Sequence, residues 1–121
     1  MNKVKIEGKQ YSYIFGMSVL KKLAQKKGLE SVSASVELIT SINYNDPSPE
    51  DMDNLASLFL FAFERAASKE DKEVKLDTDD LIDWIYSGTN ELQGLIDAFL
   101  ESIGVNEGNQ EAPKKGQKEA A

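Results

Sequence analysis

Apolar and polar side chains alternate at the start of the chain, with an interruption at residues 8–9. Val4 and Ile6 stand between polar or charged residues before it, and Tyr11 and Tyr13 follow the same alternation after it. A period of two is typical of a strand with one buried face. We therefore predict a β-hairpin whose two-residue loop is residues 8–9. In that register Ile6 lies opposite Tyr11. The next apolar pair is Val4 with Tyr13.

From residue 18 onward, apolar side chains recur every three or four positions. This is the period of an α-helix that buries one face. The breaks between the periodic segments fall at glycine, proline and capping residues. We predict helices at residues 18–27, 33–43 and 49–68, then one that Asp77 or Thr78 caps and Gly88 ends, and one that Thr89 or Asn90 caps and Gly104 ends.

The third helix carries the sharpest start signal. Ser48 is expected at the N-cap and Pro49 at the first helical position. Glu50 and Asp51 add negative charge to the first turn, where it complements the helix dipole. Gly28 is expected to end the first helix in the left-handed conformation. The inward stripe of the third helix is predicted to be Met52, Leu55, Ala56, Phe59, Ala62, Phe63 and Ala66.

These elements predict a mostly α protein of the α+β class. An N-terminal β-hairpin precedes about five helices in a single compact domain at residues 1–103, and 121 residues suffice to bury a core without disulfides or a structural metal. Residues 104–121 contain few sizeable apolar side chains, so burial cannot offset the entropy of ordering them. We predict a disordered tail or linker there.

The chain contains no cysteine and no histidine, which removes much catalytic and metal-binding chemistry. Thiol nucleophiles, imidazole bases and zinc sites built on these ligands are excluded. There is no glycine-rich phosphate loop and no nucleophile elbow. We therefore expect a protein that is not an enzyme and has no catalytic, cofactor-binding or metal residues.

Four aspartates cluster around the start of the fourth helix, at Asp77, Asp79, Asp80 and Asp83. The calcium-loop pattern fails here, because its sixth position holds no glycine and its twelfth holds Gly88 instead of glutamate. Acidic residues are common at a helix N-terminus, where they complement the dipole. We predict that these acids have a structural role and complement the dipole of the helix.

Sequence features also bear on location. No apolar run approaches the roughly 20 residues that a bilayer-spanning helix needs. The N-terminal residues alternate and do not form the apolar core of a signal peptide. Absence of cysteine favours the cytoplasm, so we expect a protein that is neither membrane-embedded nor secreted.

Charge is distributed unevenly along the chain, whose net charge is −7. Residues 1–35 carry a net +5, whereas residues 36–103 carry a net −12. A net acidic chain repels phosphate backbones, so we do not expect nucleic-acid binding. The two segments either neutralise each other within one fold or allow copies to associate head to tail into rings or filaments.

Apolar residues outside the inward stripes are the candidates for binding another protein. The outward side of helix three is predicted to consist of Asp53, Ser57, Leu60 and Glu64, with Asn54, Phe61 and Arg65 beside them. Leu60 and Phe61 are the apolar exceptions in these polar rows. Either other helices surround helix three, or these two residues contact a partner. Tyr44, in the loop before helix three, and Tyr86, at the margin of helix four, are further candidates. Trp84 is expected in the core.

The order of these elements resembles the tail assembly chaperones of long-tailed, siphovirus-type phages. The resemblance covers roughly residues 3–103. It is carried by the closing amphipathic helix and by four segments, which are 4–11 (VKIEGKQY), 15–23 (FGMSVLKKL), 55–63 (LASLFLFAF) and 79–85 (DDLIDWI).

This resemblance implies a protein made in the infected or lysogenic host cytoplasm and absent from the finished virion. Such proteins bind the tape measure protein and gather tail tube subunits around it. Many are also made in a longer form by ribosomal frameshifting. Here Lys114 and Lys115 are compatible with an A-rich slippery run, in which case the tail would link to a second domain.

Two other classes remain open from the sequence. One is a structural phage adaptor or connector that stays in its assembly, which its presence in purified particles would reveal. The other is a small antitoxin-like regulatory protein. The acidic net charge argues against DNA reading by such a protein but not against binding a toxin.

Overall fold

A computed structural model describes residues 2–88 and 90–104. It confirms the predicted mostly α, α+β class, with an antiparallel hairpin before the helices. The predicted tail and the lysines at its centre lie outside the described residues, apart from Gly104. The elements are β1 (Lys3–Ile6), β2 (Lys9–Ser12), α1 (Met17–Lys27), α2 (Val32–Thr40), α3 (Pro49–Lys69), α4 (Thr78–Tyr86) and α5 (Asn90–Ser102).

The hairpin forms, but its predicted register is wrong. Its loop is Glu7–Gly8, both with positive φ (52° and 86°), so Val4 pairs with Tyr11. Glycine fits the second position of a primed turn, and the resulting ladder lets the Tyr13 N–H donate to the Asn2 carbonyl at 3.0 Å. The shift is two residues, so each side chain keeps its face of the sheet and the predicted apolar face survives.

The first helix matches its prediction within one residue. Gly28 takes the left-handed conformation (φ 68°, ψ 32°), and the Leu29 N–H donates back to the Ala24 carbonyl at 2.9 Å. This closure satisfies a carbonyl at the end of the helix that would otherwise lack a donor. The buried side chains are Val19, Leu20, Leu23 and Ala24.

Helix α2 ends three residues earlier than predicted, at Thr40. The Thr40 and Ser41 hydroxyls donate to carbonyls three residues back, and the Asn43 side chain accepts from the Asn45 N–H. Such local bonds compete with continuation of the helix. Ile42 is nonetheless buried, so the predicted apolar stripe extends past the helix end.

Helix α3 is the central element of the first 89 residues. It begins as predicted, with Ser48 as the N-cap and Pro49 as the first helical residue. Ser48 and Asp51, two residues after Pro49, form a reciprocal capping box. Helices α1, α2 and α4 and strand β2 all pack against it. Every residue of the predicted inward stripe is buried.

The predicted outward side of α3 is only partly exposed. Asn54 and Ser57 are 1% and 0% exposed, because neighbouring elements enclose the first half of the helix. Glu64 and Arg65, in the second half, are exposed as predicted. The interpretation of α3 as a surrounded helix therefore holds for its first half.

Helix α4 is capped by Asp77 and Asp80, which form a second reciprocal capping box. This confirms Asp77, one of the two residues predicted to cap the helix, and Asp80 completes the box from the first turn. Leu81, Trp84 and Ile85 are buried, as the predicted core position of Trp84 requires.

The chain divides into two compact units, of which the first ends at Thr89 and the second begins at Asn90. Within the second unit, α5 has the predicted amphipathic pattern, with Leu95 and Phe99 buried. Thr89, one of the two predicted caps of α5, lies outside the described residues. The predicted domain boundary after residue 103 stays a prediction.

Candidate protein-binding surface

Leu60 and Phe61 lie at the middle of α3, where the enclosed half of the helix gives way to the exposed half. Both side chains are half-buried. The other large apolar residues between positions 52 and 63 of α3 are all buried, namely Met52, Leu55, Leu58, Phe59 and Phe63. Leu60 and Phe61 are therefore the large apolar residues of this helix segment that reach the surface.

The C-terminal end of α1 borders this surface through two lysines. Lys26 Nζ donates to Ser57 Oγ at 2.7 Å, and Lys27 forms an ion pair with Asp53. The Lys27 hydrogen bond lowers the pKa of the Asp53 carboxyl against the opposing effect of burial. These contacts anchor α1 on α3 at Ser57, one turn before Leu60, and at Asp53, two turns before it.

Phe61 has a charged neighbour as well as an apolar surface. Lys26 Nζ lies 6.0 Å from the centroid of its ring, which is at the limit of a cation–π contact. A half-buried aromatic ring beside a lysine presents both an apolar and a basic feature to a partner. The arrangement suits an amphipathic segment with some acidic side chains.

Tyr44 is partly held by its own loop. Its ring is 45% exposed, but its hydroxyl donates to the Ile39 carbonyl at 3.2 Å. Burial of the hydroxyl, aided by the nearby Asp51 carboxylate, raises the Tyr44 pKa to about 12. This tyrosine thus ties the α2–α3 loop to the end of α2 and is still partly exposed.

Tyr86 is the most exposed of the large apolar residues described, at 83%. It follows Ile82 by one turn and Asp83 by three positions, so the three share one side of α4. The opposite side of α4 buries Leu81, Trp84 and Ile85. Tyr86 thus lies on the outer side of α4, whereas Leu60 and Phe61 lie on α3 and Tyr44 lies in the loop before α3.

Met17 is an exposed apolar residue that sequence reasoning missed. It is 70% exposed at the first position of α1. The predicted helix began at Ser18, which left Met17 in a loop without an assigned face. A start one residue earlier would have placed Met17 one turn before Lys21 on the outer side of the helix.

One shallow cavity of about 320 Å³ lies between the hairpin and the C-terminal end of α3. Glu70 at its edge accepts from the Ser12 hydroxyl at 3.4 Å and lies 3.8 Å from Lys72 Nζ. Its carboxylate is thus already partnered. The lining residues are Lys3, Gln10, Tyr11, Ser12, Phe63, Ala67, Glu70, Lys72, Glu73 and Val74.

The described residues, 2–88 and 90–104, contain neither a metal-binding cluster nor a membrane-spanning helix. No group of three acidic, histidine or cysteine side chains in this part of the chain is close enough to hold a metal ion. No helix within the same residues combines the length and apolar character needed to cross a membrane.

Comparison with protein-family models finds no match, and neither do comparisons with curated proteins and with solved structures. The likeness to phage tail assembly chaperones therefore rests on the sequence pattern described above. Leu60 and Phe61 are half-buried, whereas Tyr44 and Tyr86 are exposed, and the role of all four in protein binding stays a prediction.

Proposed function

We propose that this protein is a non-enzymatic tail assembly chaperone of a long-tailed phage or prophage. In this role it binds the tape measure protein in the host cytoplasm, helps to recruit tail tube subunits, and is left out of the finished virion. The observation that carries the proposal is the partial exposure of Leu60 and Phe61 in a segment of α3, residues 52–63, whose other large apolar residues are buried.

A half-buried apolar pair suits a helical client. A partner helix would pack its apolar side chains against Leu60 and Phe61. Its acidic residues would lie near Lys26, which borders Phe61. Because the pair is anchored on the rigid central helix, little conformational entropy would be lost on binding. Hairpin and helix order also agree with the resemblance to the chaperone family.

The direct test is co-purification of the full chain with the tape measure protein encoded by the same genome. Leu60→Ser combined with Phe61→Ser should abolish client co-purification, because two half-buried apolar contacts are lost. Circular dichroism should show that the helices remain. Val74→Ser with Leu76→Ser is the matched control, since it removes two half-buried apolar side chains of the segment between α3 and α4 and should leave client binding unchanged.

Two results would contradict the assignment of Leu60 and Phe61 to the client surface. Unchanged co-purification of the Leu60 and Phe61 variant would place the client surface elsewhere. Unfolding of that variant would show that both residues belong to the core.

Presence of the protein in purified virions would favour a structural adaptor. Coding DNA around Lys114 without a slippery run and an overlapping frame would argue against a frameshifted form.

A further inference from the structure

Helices α1 and α4 both pack on α3 and both expose an amphipathic outer side. The α1 outer face consists of Met17, Lys21, Lys22 and Gln25, all of them exposed. The α4 outer face consists of Asp79, Asp83 and Tyr86, which are exposed, and Ile82, which is half-buried. Each face thus combines apolar surface with charge of a single sign.

The charges of the two faces have no ion-pair partners among the described residues. The ion pairs in that part of the chain are Lys27 with Asp53 and Lys72 with Glu70, and neither involves these faces. The basic start of the chain and its acidic remainder are therefore joined by a single ion pair within residues 2–88 and 90–104. Ion pairs within this part of the chain therefore neutralise little of the charge difference between residues 1–35 and residues 36–103.

The two faces also match in spacing. Met17, Lys21 and Gln25 follow one another at intervals of one turn, as do Tyr86, Asp83 and Asp79 in the reverse direction. Two antiparallel helices would place the Met17 thioether against the Tyr86 ring and Lys21 against Asp83. Sulfur–aromatic and opposite-charge contacts of this kind are both favourable.

We propose that the α4 outer face of one copy docks on the α1 outer face of the next copy. Because the two faces are different surfaces of one chain, the association is head to tail and generates rings or filaments. Leu60 and Phe61 belong to neither face. The inference does not depend on the proposed function.

Cysteine cross-linking tests the contact directly, because the chain has no cysteine of its own. A chain carrying both Met17→Cys and Tyr86→Cys should form disulfide-linked ladders beyond the dimer when oxidised at low salt. Each single variant can yield at most a dimer. Met17→Cys with Glu37→Cys is the control, since Glu37 is exposed on α2 outside both faces. A ladder no stronger than that control overturns the proposal.

Charge reversal provides a second, reciprocal test by sedimentation velocity. Asp79→Lys with Asp83→Lys, and separately Lys21→Glu with Lys22→Glu, should each weaken self-association by about tenfold or more. An equimolar mixture of the two variants should restore it, because the reversed faces are complementary. Glu30→Lys with Glu37→Lys changes the charge equally outside both faces and should retain association.

Association of the wild-type chain should also weaken as salt is added, because salt screens exposed charges. Three results overturn the proposal. They are a monomeric wild-type chain at low salt and high concentration, association that both charge reversals leave unchanged, and loss of association in folded variants without rescue on mixing.

Discussion

Asn54 is an unsatisfied polar group inside the first unit. Its side chain is 1% exposed, and its Oδ1 accepts no hydrogen bond from the described residues. A buried acceptor without a donor costs roughly 1–3 kcal/mol of stability. The neighbouring buried polar residue Ser57 differs, because Lys26 donates to its hydroxyl.

Replacing Asn54 with leucine, whose side chain has the same branching but no polar atom, should therefore stabilise the protein by about 1 kcal/mol if the core accommodates the larger methyl groups. Urea unfolding followed by the fluorescence of Trp84, the chain's one tryptophan, measures this change. Ser35→Ala is the contrasting control. The Ser35 hydroxyl donates to the Leu20 carbonyl at 3.0 Å, so its loss should destabilise by about 1 kcal/mol. A destabilised Asn54 variant would show that the amide has a role in packing.

The ion pair of Asp53 with Lys27 should make the folding stability of the protein depend on pH. The hydrogen bond from Lys27 lowers the folded-state pKa of Asp53, so its contribution is present above the unfolded value of about 3.9 and is lost as pH falls through the folded value. Asp53→Asn should lower stability at pH 7 by less than about 1 kcal/mol, because solvent screens the partly exposed pair.

The difference between wild type and Asp53→Asn should then vanish in acid, which chemical denaturation at several pH values would show. Asp46→Asn is the control, because Asp46 is an exposed loop acid outside the ion pairs described. A difference that persists unchanged to pH 2 would mean that the amide acts through packing instead of charge.

At the scale of elements, helices α3 and α4 both begin with a reciprocal capping box. Ser48 with Asp51 at α3 and Asp77 with Asp80 at α4 each satisfy two backbone N–H groups reciprocally, at distances of 2.9–3.1 Å. These caps set where the two helices start, because they satisfy donors that lack partners within the helix. Much of the acidity near residues 50 and 80 thus has a structural cause.

Ser48→Ala should destabilise the protein by about 1 kcal/mol, because the first turn of α3 loses its acceptor. Thermal unfolding by circular dichroism measures this loss. Ser33→Ala is the matched control, since Ser33 is exposed within α2 and its hydroxyl makes none of the hydrogen bonds described. Equal effects of the two substitutions would rule out the cap as the cause.

At the scale of the first unit, aromatic contacts connect helices α3 and α4 with the segment between β2 and α1. Phe59 of α3 lies 6.4 Å from Phe15, after the hairpin, and 6.4 Å from Trp84 of α4. The Ile14 N–H donates to the Ala62 carbonyl at 3.1 Å, which ties the chain after the hairpin to α3. Phe59 is 0% exposed and thus lies at the centre of this packing.

Phe59→Ala should destabilise the protein by about 3–5 kcal/mol, because it leaves a cavity among packed rings. Phe61→Ala, two residues further on, should cost markedly less, since its ring is only half-buried. Urea unfolding of both variants makes the comparison. Equal losses would place Phe61 in the core and argue against it as a binding residue.

Local sequence signals determined the class of fold and most element ends. The period of two predicted the hairpin, the helical period predicted five helices, and Ser48 and Gly28 marked helix ends that the structure confirms within one residue. These features depend on neighbours close in sequence, so local physics suffices to predict them. Burial of the α3 stripe followed from the same periodicity.

Tertiary structure decided the features on which binding depends. The hairpin register agrees with the contact of Tyr11 with Phe63, whose ring centroids lie 5.7 Å apart although the residues are distant in sequence. Enclosure of Asn54 and Ser57, and the exposure of Met17, depend on which helices pack on α3 and at what position. Periodicity identifies a buried face, but it cannot show how far along a helix its neighbours extend.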